Sequence, residues 1–169
     1  MKLVVYFSRN GENYTKNGIE NLKIGNTEVV AKKISEITAS DLFKIETIKV
    51  YPVDYYETTE VAREELKRNL RPELKKYLTD ISNYDTIYLG YPNWWGTMPM
   101  AVFTFLESVD LTGKIIKPFC THEGSGMGHS EEDLKKYFPQ AIIKKGLLIR
   151  GSDVYESDEE IKNWIGEDL

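Results

Sequence analysis

An apolar run, Leu3-Val4-Val5-Tyr6-Phe7, stops at Ser8-Arg9-Asn10-Gly11, and helical periodicity opens at Gly25-Asn26-Thr27-Glu28. This is a strand, a loop and a helix start, and the same succession recurs down the chain. The first amides of a helix lack intrahelical acceptors and sit at the positive end of its dipole, so hydroxyls and amides gathered there suit an anion such as phosphate. Ser8 and Thr27 would supply hydroxyls, and Gly11 and Gly25 would let the backbone approach closely. The plainer alternative is that Ser8 ends a strand and Asn26 or Thr27 caps a helix.

From Thr27, Val30, Ile34 and Ile37 keep the spacing of an amphipathic helix. Segment 42–50 alternates, with Leu42, Lys44, Glu46 and Ile48 on one face and Phe43, Ile45 and Thr47 on the other, and predicts a second strand more exposed than the first. A helix is expected over 57–69. Pro72 interrupts it, and Leu74, Tyr77, Leu78 and Ile81 predict a further helical stretch. Segment 86–91 is a short apolar run of the kind buried on both faces of a sheet. Pro99 opens a helix carrying Val102, Phe103, Phe105, Leu106 and Val109. A fourth strand is expected over 114–121, and Ser130 with Asp133 resembles a capping box at the next helix. A fifth strand over 142–149 and a last helix over 157–165 complete the pattern. Segment 12–24, rich in Asn, Lys and Gly without sustained periodicity, reads as an inserted loop.

Five alternations of strand and helix predict an α/β fold, a doubly wound parallel sheet with helices on both faces. At 169 residues the expectation is one domain spanning 1–169. Ligands of such sheets bind beyond the carboxyl ends of the strands, where three unusual loops fall here, after strands one, three and four. The second carries Trp94-Trp95-Gly96 and the third is glycine-rich, His122-Glu123-Gly124-Ser125-Gly126-Met127-Gly128. Paired tryptophans at a loop suit stacking on a planar ring. Beside a phosphate site, they point to a planar cofactor that carries phosphate.

Composition narrows the function. A formal charge of −5 disfavours nucleic acid as a main partner. The acidic residues concentrate at the end, where Asp153, Glu156, Asp158, Glu159, Glu160, Glu167 and Asp168 face only Lys162; they form a solvated surface or a patch for a basic partner. One cysteine, Cys120, gives no internal disulfide and fits a reducing cytoplasm. The opening apolar run is too short for a secretory leader, and no segment approaches membrane-spanning length. A metal site from Cys120, His122 and His129 lacks a second ligand cluster, and an esterase reading of Ser125 with His129 lacks the first glycine of the nucleophile elbow, where Glu123 stands. A phosphoacceptor receiver domain would need carboxylates where Phe7-Ser8 and Tyr91-Pro92 stand.

Together, Tyr6-Phe7-Ser8-Arg9 with Gly25-Asn26-Thr27, Tyr91-Pro92-Asn93-Trp94-Trp95-Gly96, and Thr121-His122-Glu123-Gly124-Ser125-Gly126 resemble the flavodoxin family, in particular a branch with a Trp-Trp-Gly second loop. The resemblance covers nearly the whole chain. It implies a flavodoxin-like three-layer fold with a five-stranded parallel sheet in the order 2-1-3-4-5, and FMN as cofactor. Ser8, Asn13, Asn26 and Thr27 then correspond to phosphate contacts, with Arg9 as a helper. Pro92, Asn93, Trp94, Trp95 and Gly96 would line the flavin, with one tryptophan on a ring face. Thr121, His122, Glu123, Gly124, Ser125 and Gly126 would hold the other ring edge through backbone donors and Ser125.

The chain departs from the family pattern twice. Its first loop is long, which leaves Gly11 and Gly25 as alternative phosphate-loop glycines, and its third loop lacks the aromatic residue that many flavodoxins stack on the flavin. The implied function is an FMN redox protein that carries electrons. The alternatives are an NAD(P)H:quinone-type oxidoreductase using an open flavin face, and a non-catalytic FMN-binding module. The partners implied are a redox protein or a small acceptor such as a quinone, with NAD(P)H as donor in the oxidoreductase case and a homodimer allowed; no nucleic acid or membrane is expected.

Overall fold

A computed structural model describes residues 1–167. The acidic residue Asp168 lies outside the described residues. Strand β1 (Lys2–Tyr6) lies between β4 (Asp41–Lys44) and β5 (Thr86–Pro92), and β5 pairs with β6 (Ile115–His122), all in parallel. The order across the sheet is β4-β1-β5-β6 and then β7 (Ile142–Ile143), with β8 (Leu147–Arg150) also on β6. This is the 2-1-3-4-5 order, with β7 and β8 sharing the fifth place.

The alternation of side chains along β1 explains the three layers. Leu3, Val5 and Phe7 face one core, with Met98, Val102, Phe105, Leu106 and Leu134 brought by helices α3 (Met100–Glu107) and α4 (Ser130–Tyr137) and the turn before α3. Val4 and Tyr6 face the other, against Val30 and Ile34 of α1 (Asn26–Thr38) and Ile161 and Trp164 of α5 (Asp158–Gly166). A strand buried on both sides has no polar face to show, so its sequence is a run of apolar residues. Helix α2 (Tyr55–Lys67) adds Leu66 beside the first core.

Five local expectations need correction. Segment 12–24 is a β-hairpin, β2 (Gly11–Thr15) with β3 (Gly18–Leu22). Its polar sequence hid it, because the hairpin touches the body through few groups, such as the Glu12 amide on the Val53 carbonyl and Tyr14 against Tyr55. The second strand stops at Lys44, and residues 46–48 pair antiparallel with 73–75 through Ile48 N–H to Glu73 O and Lys75 N–H to Glu46 O. The stretch 74–81 is therefore not helical: the Glu73 carbonyl and the Lys75 N–H turn sideways to 46–48, while Leu74 and Ile81 are still buried.

The fifth strand is split into β7 (Ile142–Ile143) and β8 (Leu147–Arg150). Three residues, 144–146, stand opposite two, Lys117 and Pro118, and Pro118 has no N–H for the ladder. The capping box at α4 does not form. Ser130 Oγ donates to Met127 O and accepts from the Tyr91 hydroxyl, while the Asp133 carboxylate takes Thr97 Oγ1 and His129 Nδ1.

Candidate functional site

At the carboxyl ends of β1, β5 and β6, the three loops surround one cleft of about 570 Å³. Thirteen of the sixteen residues singled out in the sequence line it: Ser8, Arg9, Asn13, Asn26, Thr27, Pro92, Asn93, Trp94, Trp95, Thr121, His122, Glu123 and Ser125. Gly96, Gly124 and Gly126 are not among the residues that line it.

One end of the cleft is the start of α1. Gly25 precedes the helix and has no side chain to cap it, and Ser8 supplies the missing cap from the end of β1: its Oγ accepts the Glu28 N–H at 3.1 Å. A Cβ on Gly25 would lie 2.2 Å from Ser8 Oγ and 2.7 Å from the Arg9 carbonyl, so only glycine lets this loop close on the helix. Gly11, by contrast, opens the hairpin near Val53. With Glu28 N–H taken, the helix keeps the Asn26 and Thr27 amides, which have no intrahelical acceptor, to face a ligand. Thr27 Oγ1 is buried and paired with Thr121 Oγ1 at 2.7 Å, tying the first and third loops together.

An acid in the first turn of such a helix would repel an anion, but the charge of Glu28 is balanced by Lys32 and Lys44. Burial pushes its carboxyl up, yet hydrogen bonds from Lys44 and Tyr6 and the nearby Lys32 hold it below the ordinary range. Arg9 sends its guanidinium to the carbonyls of Glu12, Pro52 and Val53. It clamps the hairpin to the turn before α2 and contributes its charge from there. Asn13 Nδ2 donates to Arg9 O and Gly11 O, so it too braces the loop.

The other end is aromatic. Trp95 (φ 55°) and Gly96 (φ 87°) form a tight turn with two left-handed residues, closed by Trp94 N–H to Thr97 O at 2.9 Å. The turn sends its tryptophans in different directions. Trp94 is wedged between the ring edges of Phe7 and Tyr51, with centroids 5.1 and 5.2 Å away. Trp95 is 49% exposed, and its indole N–H donates to Thr59 O of α2. Asn93 joins the second loop to the third by taking Gly96 N–H on Oδ1 and giving Nδ2–H to Gly126 O.

In the third loop, the Gly124 and Gly126 amides both donate to His122 Nδ1, so these backbone donors hold the loop itself. Glu123 accepts from Ser152 N–H and Oγ and lies 3.6 Å from Arg150. Cys120 is buried behind the loop, where burial pushes its thiol up to about 12. Among the described residues, no three His, Cys, Asp or Glu side chains gather as a metal site.

The sequence did not single out the opposite wall, Tyr14, Tyr55, Tyr56, Thr58, Thr59, Glu60 and Ala62, from the hairpin and α2. A signal was present: Tyr55-Tyr56 follows a proline turn, as Trp94-Trp95 follows Pro92.

No curated protein matches the chain. Among solved structures, a candidate flavoprotein from Bacteroides uniformis is 30% identical, covering 98% of this chain and 97% of its own, with a TM-score of 0.77. A flavoprotein from Lactobacillus acidophilus, solved in complex with FMN, is 21% identical over 97% of each chain, with a TM-score of 0.66. Oxidised flavodoxin 2 from Bacillus cereus superposes with a TM-score of 0.55 at 17% identity over 100% of both chains. The last two likenesses speak for the fold alone. The family model described as flavodoxin matches residues 1–168, which agrees with the strand order and with a cleft built by the three loops at the ends of β1, β5 and β6. The chain belongs to the flavodoxin family.

Proposed function

We propose that this chain binds FMN in the cleft and serves as a redox protein. The observation that carries this reading is one continuous cleft with a helix start and two hydroxyls, Ser8 and Thr27, at one end and Trp94 and Trp95 at the other. A phosphate and a planar ring joined by a polar chain match that distribution of chemistry. The solved FMN complex of the Lactobacillus relative supports it. Bound FMN would supply one- and two-electron redox chemistry, and the protein would bind and orient it. Ser8 and the α1 amides would hold the phosphate, Trp95 would meet the ring, and Asn93 would fix the loop that carries Trp95.

A second reading, an oxidoreductase acting on a planar acceptor such as a quinone, is favoured by the half-exposed Trp95 and the tyrosine wall of α2, which leave aromatic surface open to solvent. As a carrier, the protein would exchange electrons with a partner protein instead. One experiment addresses both. Added to the purified protein, FMN is expected to lose its fluorescence stoichiometrically, and unchanged fluorescence would contradict cofactor binding. NADPH or NADH added to the loaded protein would bleach the flavin rapidly if it is an oxidoreductase. Inertness toward both would leave the carrier.

A further inference from the structure

His122 ends β6, lines the cleft, and accepts two backbone donors on Nδ1, Gly124 N–H at 2.9 Å and Gly126 N–H at 3.1 Å. A neutral imidazole has one bare nitrogen and one N–H, so a ring that accepts at Nδ1 carries its proton on Nε2. Gly126 is also where the second loop attaches, since its carbonyl takes Asn93 Nδ2 at 2.7 Å and Asn93 Oδ1 takes the Gly96 amide at 2.8 Å. One ring nitrogen therefore organises two of the three loops.

We infer that His122 is a positioning residue for the flavin: as the neutral Nε2–H tautomer it latches the third loop through Nδ1 and offers Nε2–H to an oxygen on the ring edge, and protonation of Nδ1 opens the latch. The inference rests on the FMN reading above. An imidazolium would set a third donor against two N–H donors, leaving both amides without their acceptor. Arg150 of β8 opposes that charge and Glu123, itself held by Ser152 and Arg150, favours it; Arg9 and Glu60 line the same cleft. Burial first, then Arg150, holds the His122 pKa below its ordinary value. The latched state thus binds fewer protons than a released loop. Its contribution to flavin affinity is complete at neutral and alkaline pH and is lost as pH falls through the lowered pKa.

Nitrogen-15 NMR of the full chain tests the latch without any ligand. At about pH 7.5, where an imidazole with a depressed pKa is neutral, His122 Nδ1 is expected to show the shift of a bare ring nitrogen, and the Gly124 and Gly126 amides should move with its titration. A protonated Nδ1, or glycine amides indifferent to the titration, overturns the latch. FMN affinity is then compared between the wild type and His122→Asn, whose Oδ1 can accept the two amides but does not titrate. Because the FMN phosphate titrates in the same range, the ratio of the two Kd values isolates His122. The wild-type Kd should rise relative to the variant by up to about tenfold per pH unit below the His122 pKa. A constant ratio overturns the role toward the flavin. Failure of FMN to bind at any pH removes the redox reading and the Nε2 role together, while the NMR result still decides the latch.

Discussion

Gly25 and Ser8 form one device made of two residues from different elements. Ser8 Oγ caps α1 in place of the helix's own N-cap, and the missing Cβ of Gly25 makes room for it. Ser8→Ala should cost about 1 kcal/mol, the ordinary worth of a cap. Gly25→Ala should cost more, about 1–3 kcal/mol, because its Cβ would meet the Arg9 backbone as well as Ser8. Urea unfolding with paired FMN titrations checks the order; equal stability of both variants and the wild type would refute it. That Ser8 and Thr27 lie together at the cleft was legible in the sequence, because a strand end and a helix start meet there. The employment of Arg9 and Asn13 was not: Arg9 binds the Glu12 carbonyl and those of the 52–53 turn, which a linear reading does not bring near, and Asn13 turns back on the Arg9 and Gly11 carbonyls of its own loop.

At the level of elements, α2 carries a buried carboxylate that connects to the site through Tyr51 and Trp94. Glu65 is 2% exposed, and the Tyr51 hydroxyl donates to both of its oxygens, at 2.8 and 3.0 Å. Tyr51 in turn packs on Trp94. Burial raises the Glu65 pKa, only partly offset by Tyr51 and Lys49. A carboxyl whose folded pKa exceeds its unfolded value contributes stability that is complete below the unfolded pKa and is lost as pH rises through the folded one. Glu65→Gln keeps an acceptor for Tyr51 but cannot ionise. Its stability relative to the wild type is therefore expected to improve from about pH 4 to about pH 8, across the carboxylate range. Urea midpoints at the two ends check this, and a difference independent of pH would contradict it. The strands β1, β5 and β6 were readable because burial on both faces leaves a bare apolar run. The hairpin β2–β3 and the stretch 74–81 were not. The first buries little and so has no apolar pattern, and in the second tertiary pairing with 46–48 overrides a helix-like spacing broken by Pro72.

Over the whole molecule, the order of elements was enough to place three loops at one end of a parallel sheet, because a right-handed crossover leaves little choice of topology. The depth of the cleft was not readable, since its opposite wall comes from the hairpin and α2, whose part in it the sequence left unassigned. Charge is distributed unevenly. In the acidic C-terminal stretch, Lys33 pairs with Asp158 and also donates to the Tyr155 carbonyl, so part of that negative surface is bound to α1. In the proposed flavin site the first loop and the start of α1 form the phosphate end. Riboflavin, which keeps the ring and lacks the phosphate, tests it most directly by competition with FMN for the same protein. FMN should bind at least about tenfold tighter, a difference of about 1.4 kcal/mol, and Ser8→Ala should narrow the gap by weakening FMN alone. Equal affinity for the two flavins, or a Ser8→Ala loss shared by both, would contradict the account.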